Sequence, residues 1–224
     1  MSHISQGDVA LAGLVPAGPG AGRVWCRAVL VPGGPGDRRR TGCGPDATPP
    51  FSVFMTSAPG GEMRGSTLVR PLTAGDWQAL RAARLAALAE APYAFASTLA
   101  REQEFAEDTW RERAGSGRTL GAWQDGVIVG LATGFPAEPG PDWHLVGMWV
   151  SPGCRGQGVA GRLVGAVCDL ARESGAPSVT LWVTEVNDRA RAFYRRVGFA
   201  PTGARQLIRP QEWEEELSLP LGPA

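Results

Sequence analysis

An apolar run at residues 143–150 passes through Ser151-Pro152 into Arg155-Gly-Gln-Gly-Val-Ala-Gly161 and then into a stripe of Val159, Leu163, Val167 and Leu170. No other stretch narrows the choice of fold as much. The run is of strand length, and the stripe has helical spacing from about Gly158 to Glu173. Glycines between a strand and a helix let successive backbone N–H groups point into one concavity, and the helix adds its positive end. The expectation is an anion site for a phosphate or pyrophosphate, with Arg155 supplying a charged fork. Gly147, inside the strand, predicts a bulge where a ligand or another backbone comes close.

The flanking sequence sets the context. A short strand ends at Pro71, and Thr73-x-x-Asp76 opens a helix that runs to about Glu90 with Trp77, Leu80, Leu85 and Leu88 on one face. A second helix is expected over 99–113. Asp125-Gly126 sits between two apolar runs and predicts a hairpin, so part of the sheet is antiparallel. Ser178 to Thr184 reads as a β-branched strand. Asn187-Asp188 can cap a last helix striped by Ala190, Phe193, Tyr194 and Val197, with Gly198 just past its end. Glu214 to Leu219 reads as a closing edge strand.

Two ligand classes fit the glycine loop. Gly156-x-Gly158-x-x-Gly161, with Glu185 about 20 residues on, also spells the fingerprint of an NAD or FAD oxidoreductase. Against it, five residues separate the strand end from the glycines, too few βα units follow, and a hairpin stands where a parallel unit belongs.

Composition limits the rest. Gly and Pro make up 21 of the first 65 residues but 29 of the remaining 159. Residues 1–65 lack a sustained apolar period and carry breaker clusters, which predicts a disordered extension or a mis-called start upstream of Met55 or Met63. The regular domain is expected over 66–224. Net charge is zero, which argues against nucleic acid and against an anionic membrane surface. All 22 basic residues are arginine, so any mechanism that needs a lysine is excluded. No run approaches a membrane span and no signal peptide is evident, so a cytoplasmic protein is expected. The four cysteines have no zinc-type spacing, and no metal is expected. No acidic pocket is obvious enough in the sequence to single out an aminoglycoside or a polyamine as substrate.

The loop and its surroundings resemble the GNAT superfamily of acyl-CoA-dependent N-acetyltransferases. The family's phosphate-loop pattern, Gln/Arg-x-x-Gly-x-Gly/Ala, is matched by Arg155, Gly158 and Ala160. Val150-Ser-Pro is similar to the family's approach to that loop. Asn187-x-x-Ala190-x-x-x-Tyr194, followed by Val197-Gly-Phe199, resembles its second cofactor-binding stretch. The resemblance covers residues 66–224.

It implies a mixed, mostly antiparallel sheet flanked by helices (α/β, of α+β type), with the parallel strands 143–150 and 178–184 splayed apart. It implies acetyl-CoA as acyl donor, no metal, and direct transfer to a primary amine of a small molecule, a peptide or protein N-terminus, or a lysine. The pyrophosphate would lie on Gly156, Gln157, Gly158, Val159 and Ala160, beside Arg155. The main chain of Met148, Trp149 and Val150 would pair with the pantetheine arm, and Asn187 and Ala190 would contribute from the second stretch. Tyr194 is the implied acid for the leaving thiolate. For the general base, His144 competes with Glu102, Glu104 and a water chain. Tyr93, Phe95 and Trp143 are candidates to line the acceptor pocket. A homodimer is one option for the assembly. A non-catalytic CoA-binding relative remains an alternative to the enzyme.

Overall fold

The computed structural model describes residues 66–222, so the expectation for residues 1–65 lies outside the described residues. Seven strands form one sheet in the order β1-β2-β3-β4-β5-β7-β6. They are β1 (Leu68–Pro71), β2 (Thr119–Gln124), β3 (Val127–Pro136), β4 (Trp143–Val150), β5 (Ser178–Thr184), β6 (Ala200–Arg209) and β7 (Glu212–Pro220). Every neighbouring pair is antiparallel except β4–β5. Among the described residues five α-helices flank the sheet: α1 (Trp77–Glu90), α2 (Leu99–Gln103), α3 (Glu107–Gly115), α4 (Val159–Glu173) and α5 (Asp188–Arg196). Among the described residues no helix is long and apolar enough to cross a membrane.

Each face of the sheet has its own core. Leu163, Val167 and Ala171 of α4 and Ala190, Phe193 and Tyr194 of α5 pack against Leu145, Met148, Val150, Val179, Leu181 and Val183. On the other face Leu80, Ala87 and Leu88 of α1 and Trp110 and Ala114 of α3 cover Ile128, Leu131 and Trp149. Each fully buried Leu or Val contributes about 1.5–3 kcal/mol, so the two apolar faces hold the helices in place.

Local chemistry sets most of the boundaries. Asp125 (φ 49°) and Gly126 (φ 77°) both adopt left-handed backbone and close the expected hairpin. Thr73 and Asp76 form a capping box ahead of α1, and Gly198 follows α5 with φ 102°. Two expectations need correction. The helix expected over 99–113 is two helices, because Glu104–Ala106 turns the chain so that Arg113 of α3 comes back to Glu102 of α2. The closing strand is not an edge strand: β7 lies between β5 and β6, and β6 is the edge. Pro201 and Gly203 hide β6 in the sequence, and a register shift between Pro201 and Arg205 absorbs them.

Candidate active site

The sheet opens at its one parallel junction. β4 and β5 pair only at Trp143↔Val179 and His144↔Thr180. Beyond that point β5 stays paired with β7 along its whole length, from Ser178↔Pro220 to Thr184↔Glu214, while β4 stays with β3. The two strands therefore part, as expected, and residues 145–150 show β5 no ladder partner.

A bulge shapes the β4 side of this opening. Between the pairs Thr133↔Val146 and Leu131↔Trp149, β4 has one residue more than β3. Gly147 takes up the excess at φ 63°, a left-handed conformation that L side chains rarely adopt. The extra residue also resets which way the side chains point. Leu145, Met148 and Val150 face α4, and Trp149 faces α1. Without the bulge, strict alternation would turn Met148 and Val150 away from the α4 core.

Residues 151–158 lead from β4 to α4. A short turn at Pro152–Cys154 is followed by Gly156 (φ 78°) and Gly158 (φ 79°), and Gly158 caps the fifteen-residue α4. The first intrahelical bond of α4 runs from Arg162 N–H to the Gly158 carbonyl at 3.2 Å. The amides of Val159, Ala160 and Gly161 precede it and have no acceptor within the helix. They meet the positive end of the helix dipole, which suits an anion. Gln157 folds back on the loop, donating from Nε2 to the Gly153 carbonyl at 2.9 Å.

Arg155 corrects the expectation of a charged fork. Its guanidinium is turned inward, with the side chain 6% exposed. Nε donates to the Val150 carbonyl at 2.9 Å and Nη2 to Glu90 Oε2 at 2.6 Å. The same Glu90 oxygen accepts from Trp149 Nε1 at 3.0 Å. Glu90, at the end of α1, thus ties the loop to the bulged strand. Sequence reasoning did not single it out, and its 65-residue separation from Arg155 left no local signal.

On the other side of the opening, Asn187 caps α5, its Oδ1 accepting from Ala190 N–H at 3.0 Å. Ala190 is buried. Tyr194 is fully buried, edge-on to Phe193 and Phe199, and its hydroxyl has no hydrogen-bond partner among the described residues. Burial pushes its pKa far above the ordinary value, so the phenol stays protonated. His144 is half-buried where the parallel strands still pair, with Nδ1 2.7 Å from Thr180 Oγ1. The Thr180 hydroxyl is also 3.3 Å from the Trp143 carbonyl, which can only accept. Giving the threonine proton to that carbonyl makes Nδ1–H the donor to Thr180 and leaves the lone pair on Nε2. Burial lowers the His144 pKa, opposed by the charges of Glu216 and Asp142.

A profile of the acetyltransferase (GNAT) family matches residues 82–199, just over half the chain. The chain belongs to this family. It is 37% identical over 86 residues to an uncharacterized N-acetyltransferase of Mycobacterium bovis, covering 38% of this chain and 54% of that one. It is 36% identical over 92 residues to streptothricin acetyltransferase of Streptomyces lavendulae, covering 41% and 49%. The chain therefore spans about half the length of these curated relatives. In fold it is similar to an acetyltransferase of Salmonella typhimurium solved with its cofactor acetyl-CoA. The TM-score is 0.56 at 17% identity, covering 71% of this chain and 96% of that one. The sheet order and the parted parallel pair agree with the GNAT architecture expected from the motifs.

Several sequence candidates fall outside the opening of this GNAT domain. Glu102 is fully buried and accepts from Arg84 Nη2 at 2.8 Å and Arg113 Nη1 at 3.0 Å. Burial raises its pKa, but Arg84 and Arg113 outweigh that and hold it below the usual range. It is a structural carboxylate, not a free base. Glu104 is exposed. Phe95 and Trp143 are core residues, with Arg84 stacked 4.4 Å from the Phe95 ring, whereas Tyr93 is exposed. Glu185, the acidic residue of the dinucleotide reading, pairs with Arg205 at 2.8 Å, and the mostly antiparallel sheet removes the basis for that reading.

Proposed function

We propose that the protein is an acetyl-CoA-dependent N-acetyltransferase that moves the acetyl group directly to a primary amine. The acceptor is a small molecule, a peptide or protein N-terminus, or a lysine. The observation that carries this reading is the parting of β4 from β5 after His144, beside a bulge at Gly147 and in line with the capped N-terminus of α4. A pantetheine arm can lie in such a gap as an added strand, paired with the main chain of Met148, Trp149 and Val150. Gly156, Gln157, Gly158, Val159 and Ala160 offer amides to a pyrophosphate, with Arg155 bracing the loop from behind. Asn187 and Ala190 form the facing wall, where Asn187 Oδ1 holds the helix cap.

The buried Tyr194 hydroxyl without a partner fits a sulfur acceptor in the gap. In the reaction the amine nitrogen bonds to the acetyl carbon and the carbon–sulfur bond breaks. A main-chain N–H at the bulge steadies the carbonyl oxygen. His144 Nε2 takes the proton released from nitrogen. Tyr194 donates a hydrogen bond to the leaving sulfur; its raised pKa suits that role better than complete proton transfer.

Isothermal titration with acetyl-CoA and with NAD tests the reading. Acetyl-CoA alone is expected to bind, and thiol release should follow with at least one member of an amine panel. Binding of NAD in place of acetyl-CoA would overturn it, and binding without thiol release from any amine would favour the non-catalytic alternative.

A further inference from the structure

One half of the sheet carries polar side chains on the face turned away from α4 and α5. Along β5, Val179, Leu181 and Val183 point into the α4–α5 core, so Thr180, Trp182 and Thr184 point to the opposite face. Their ladder partners on β7 are Ser218, Glu216 and Glu214, which share that face. His144 joins them through its bond to Thr180. The helices α1 and α3 pack over β3 and Trp149, away from this half.

Two carboxylates, an indole, three hydroxyls and the proposed base are therefore assembled beside the opening. Glu216 accepts from the neutral Thr202 hydroxyl at 2.8 Å and makes no ion pair among the described residues. It is close enough to His144 to favour the charged imidazole against burial. The arginines of this region, Arg191, Arg195 and Arg205, are engaged by Glu215, Asp188 and Glu185, and Glu215 lies on the opposite face from Glu216. An independent observation points to a ligand. Thr184 is 2% exposed, stands directly across the ladder from Glu214, and its Oγ1 has no hydrogen-bond partner among the described residues.

From these observations we infer that the acceptor carries a second cationic group, held by Glu216 together with Thr184 and the Trp182 ring. The inference rests on the acyltransfer reading above. Continuing the register His144↔Thr180 by three residues sets the bulge at Gly147 level with Val183, next to Trp182. Because β4 and β5 have parted there, two ladder spacings of about 4.8 Å and one rise of about 3.3 Å make about 10 Å the least distance between the bulge and the Glu216 backbone. A short aliphatic diamine and the Glu216 side chain together span such a gap, with one nitrogen at the thioester and the other at the carboxylate. A carboxylate and an indole together suit an ammonium group.

The test is titration of the protein–coenzyme A complex with 1,5-diaminopentane and with pentylamine, which differ by the remote amine. The diamine is expected to bind at least about tenfold tighter, the size of one charge-assisted hydrogen bond. Glu216→Gln should reduce that preference to within about twofold, and Thr184→Val, which leaves the carboxylate in place, should weaken it part-way. Equal binding of both amines, binding of neither, or an undiminished preference in Glu216→Gln would overturn the inference. Failure of the wild type to bind coenzyme A would instead overturn the acyltransfer reading, so the two failures are distinguishable.

Discussion

Deleting Gly147 should cost far more than replacing it. Gly147→Ala keeps the residue count of β4 and so keeps the bulge. A Cβ there meets nothing closer than Thr133 Oγ1 at 3.9 Å, so the penalty is confined to the backbone. A left-handed Ala costs about 1–2 kcal/mol, offset by about 0.4–1 kcal/mol from the stiffer unfolded chain. The net loss is about 1 kcal/mol, a fall in Tm of about 2–4 °C for a domain of this size. Deletion removes the extra residue and reverses the facing of β4 beyond Val146. Met148 and Val150 leave the α4 core and Trp149 leaves the α1 core, all three at 5% exposure or less. At about 1.5–3 kcal/mol each, the loss is roughly 5–9 kcal/mol, comparable to the whole stability of a typical domain. Re-forming the bulge at Val146 or Met148 would put a non-glycine residue at positive φ. Urea unfolding followed by circular dichroism, with acetyl-CoA titration of whatever remains folded, measures both variants. A deletion variant that unfolds at the wild-type midpoint would refute the account of side-chain facing.

Tyr194→Phe should lower kcat with little change in the affinity for acetyl-CoA. Because the hydroxyl is buried without a partner, the variant should be at least as stable as the wild type, by up to about 1 kcal/mol; unchanged kcat in steady-state assays would remove Tyr194 from the chemistry. The His144 pKa is lowered by burial, so the free base predominates at neutral pH and kcat/KM should fall only as pH drops below the usual histidine range. In His144→Ala that acid limb should vanish and kcat should fall about 10²–10⁴-fold; a retained limb would assign it to another group. Glu102→Gln leaves Arg84 and Arg113 facing a neutral amide and should cost about 3–5 kcal/mol in denaturant unfolding. The wild-type carboxylate has a lowered pKa, so its contribution is present above the usual carboxylate range and is lost as pH falls through the folded value; the variant should lose that part of the acid sensitivity.

What the sequence made legible was local. Asp125-Gly126, the run 143–150 with its internal glycine, the capped helix after Gly158 and the strand 178–184 each carry their signal within a few residues, and each appears where expected. Contacts between distant segments were not legible. Nothing near Glu102 indicates that Arg84 and Arg113 will enclose it, and nothing near Glu216 indicates His144, 72 positions earlier in the numbering. The alternation Glu214, Glu216, Ser218 reads as an ordinary solvated strand face. Only the insertion of β7 beside β5 makes it a wall of the opening, and β6 had to be recognised first for that placement to follow.

Arg155 shows why residue type in a motif does not settle the role of a side chain. A guanidinium in a phosphate loop invites a direct role with the anion, yet here it spans the Val150 carbonyl and the Glu90 carboxylate. The ion pair cancels its charge locally, so the attraction for an anion falls to groups that cannot be mutated away: the amides of residues 156–161 and the end of α4, equivalent to about half a positive charge. What Arg155 supplies is geometry. By holding the last carbonyl of β4 and the last residue of α1, it fixes where the loop leaves the bulged strand. Phosphate loop and bulge therefore sit on one braced unit formed by Glu90, Trp149 and Arg155, on the β4 side of the opening. The other side, from β5 to β7, carries the polar face and shares only two ladder positions with β4. Under the proposed reading the phosphate loop and the bulge serve the donor from the β4 side, Asn187, Ala190 and Tyr194 face it from the α5 side, and the polar face of β5 and β7 receives the acceptor, with His144 at the junction.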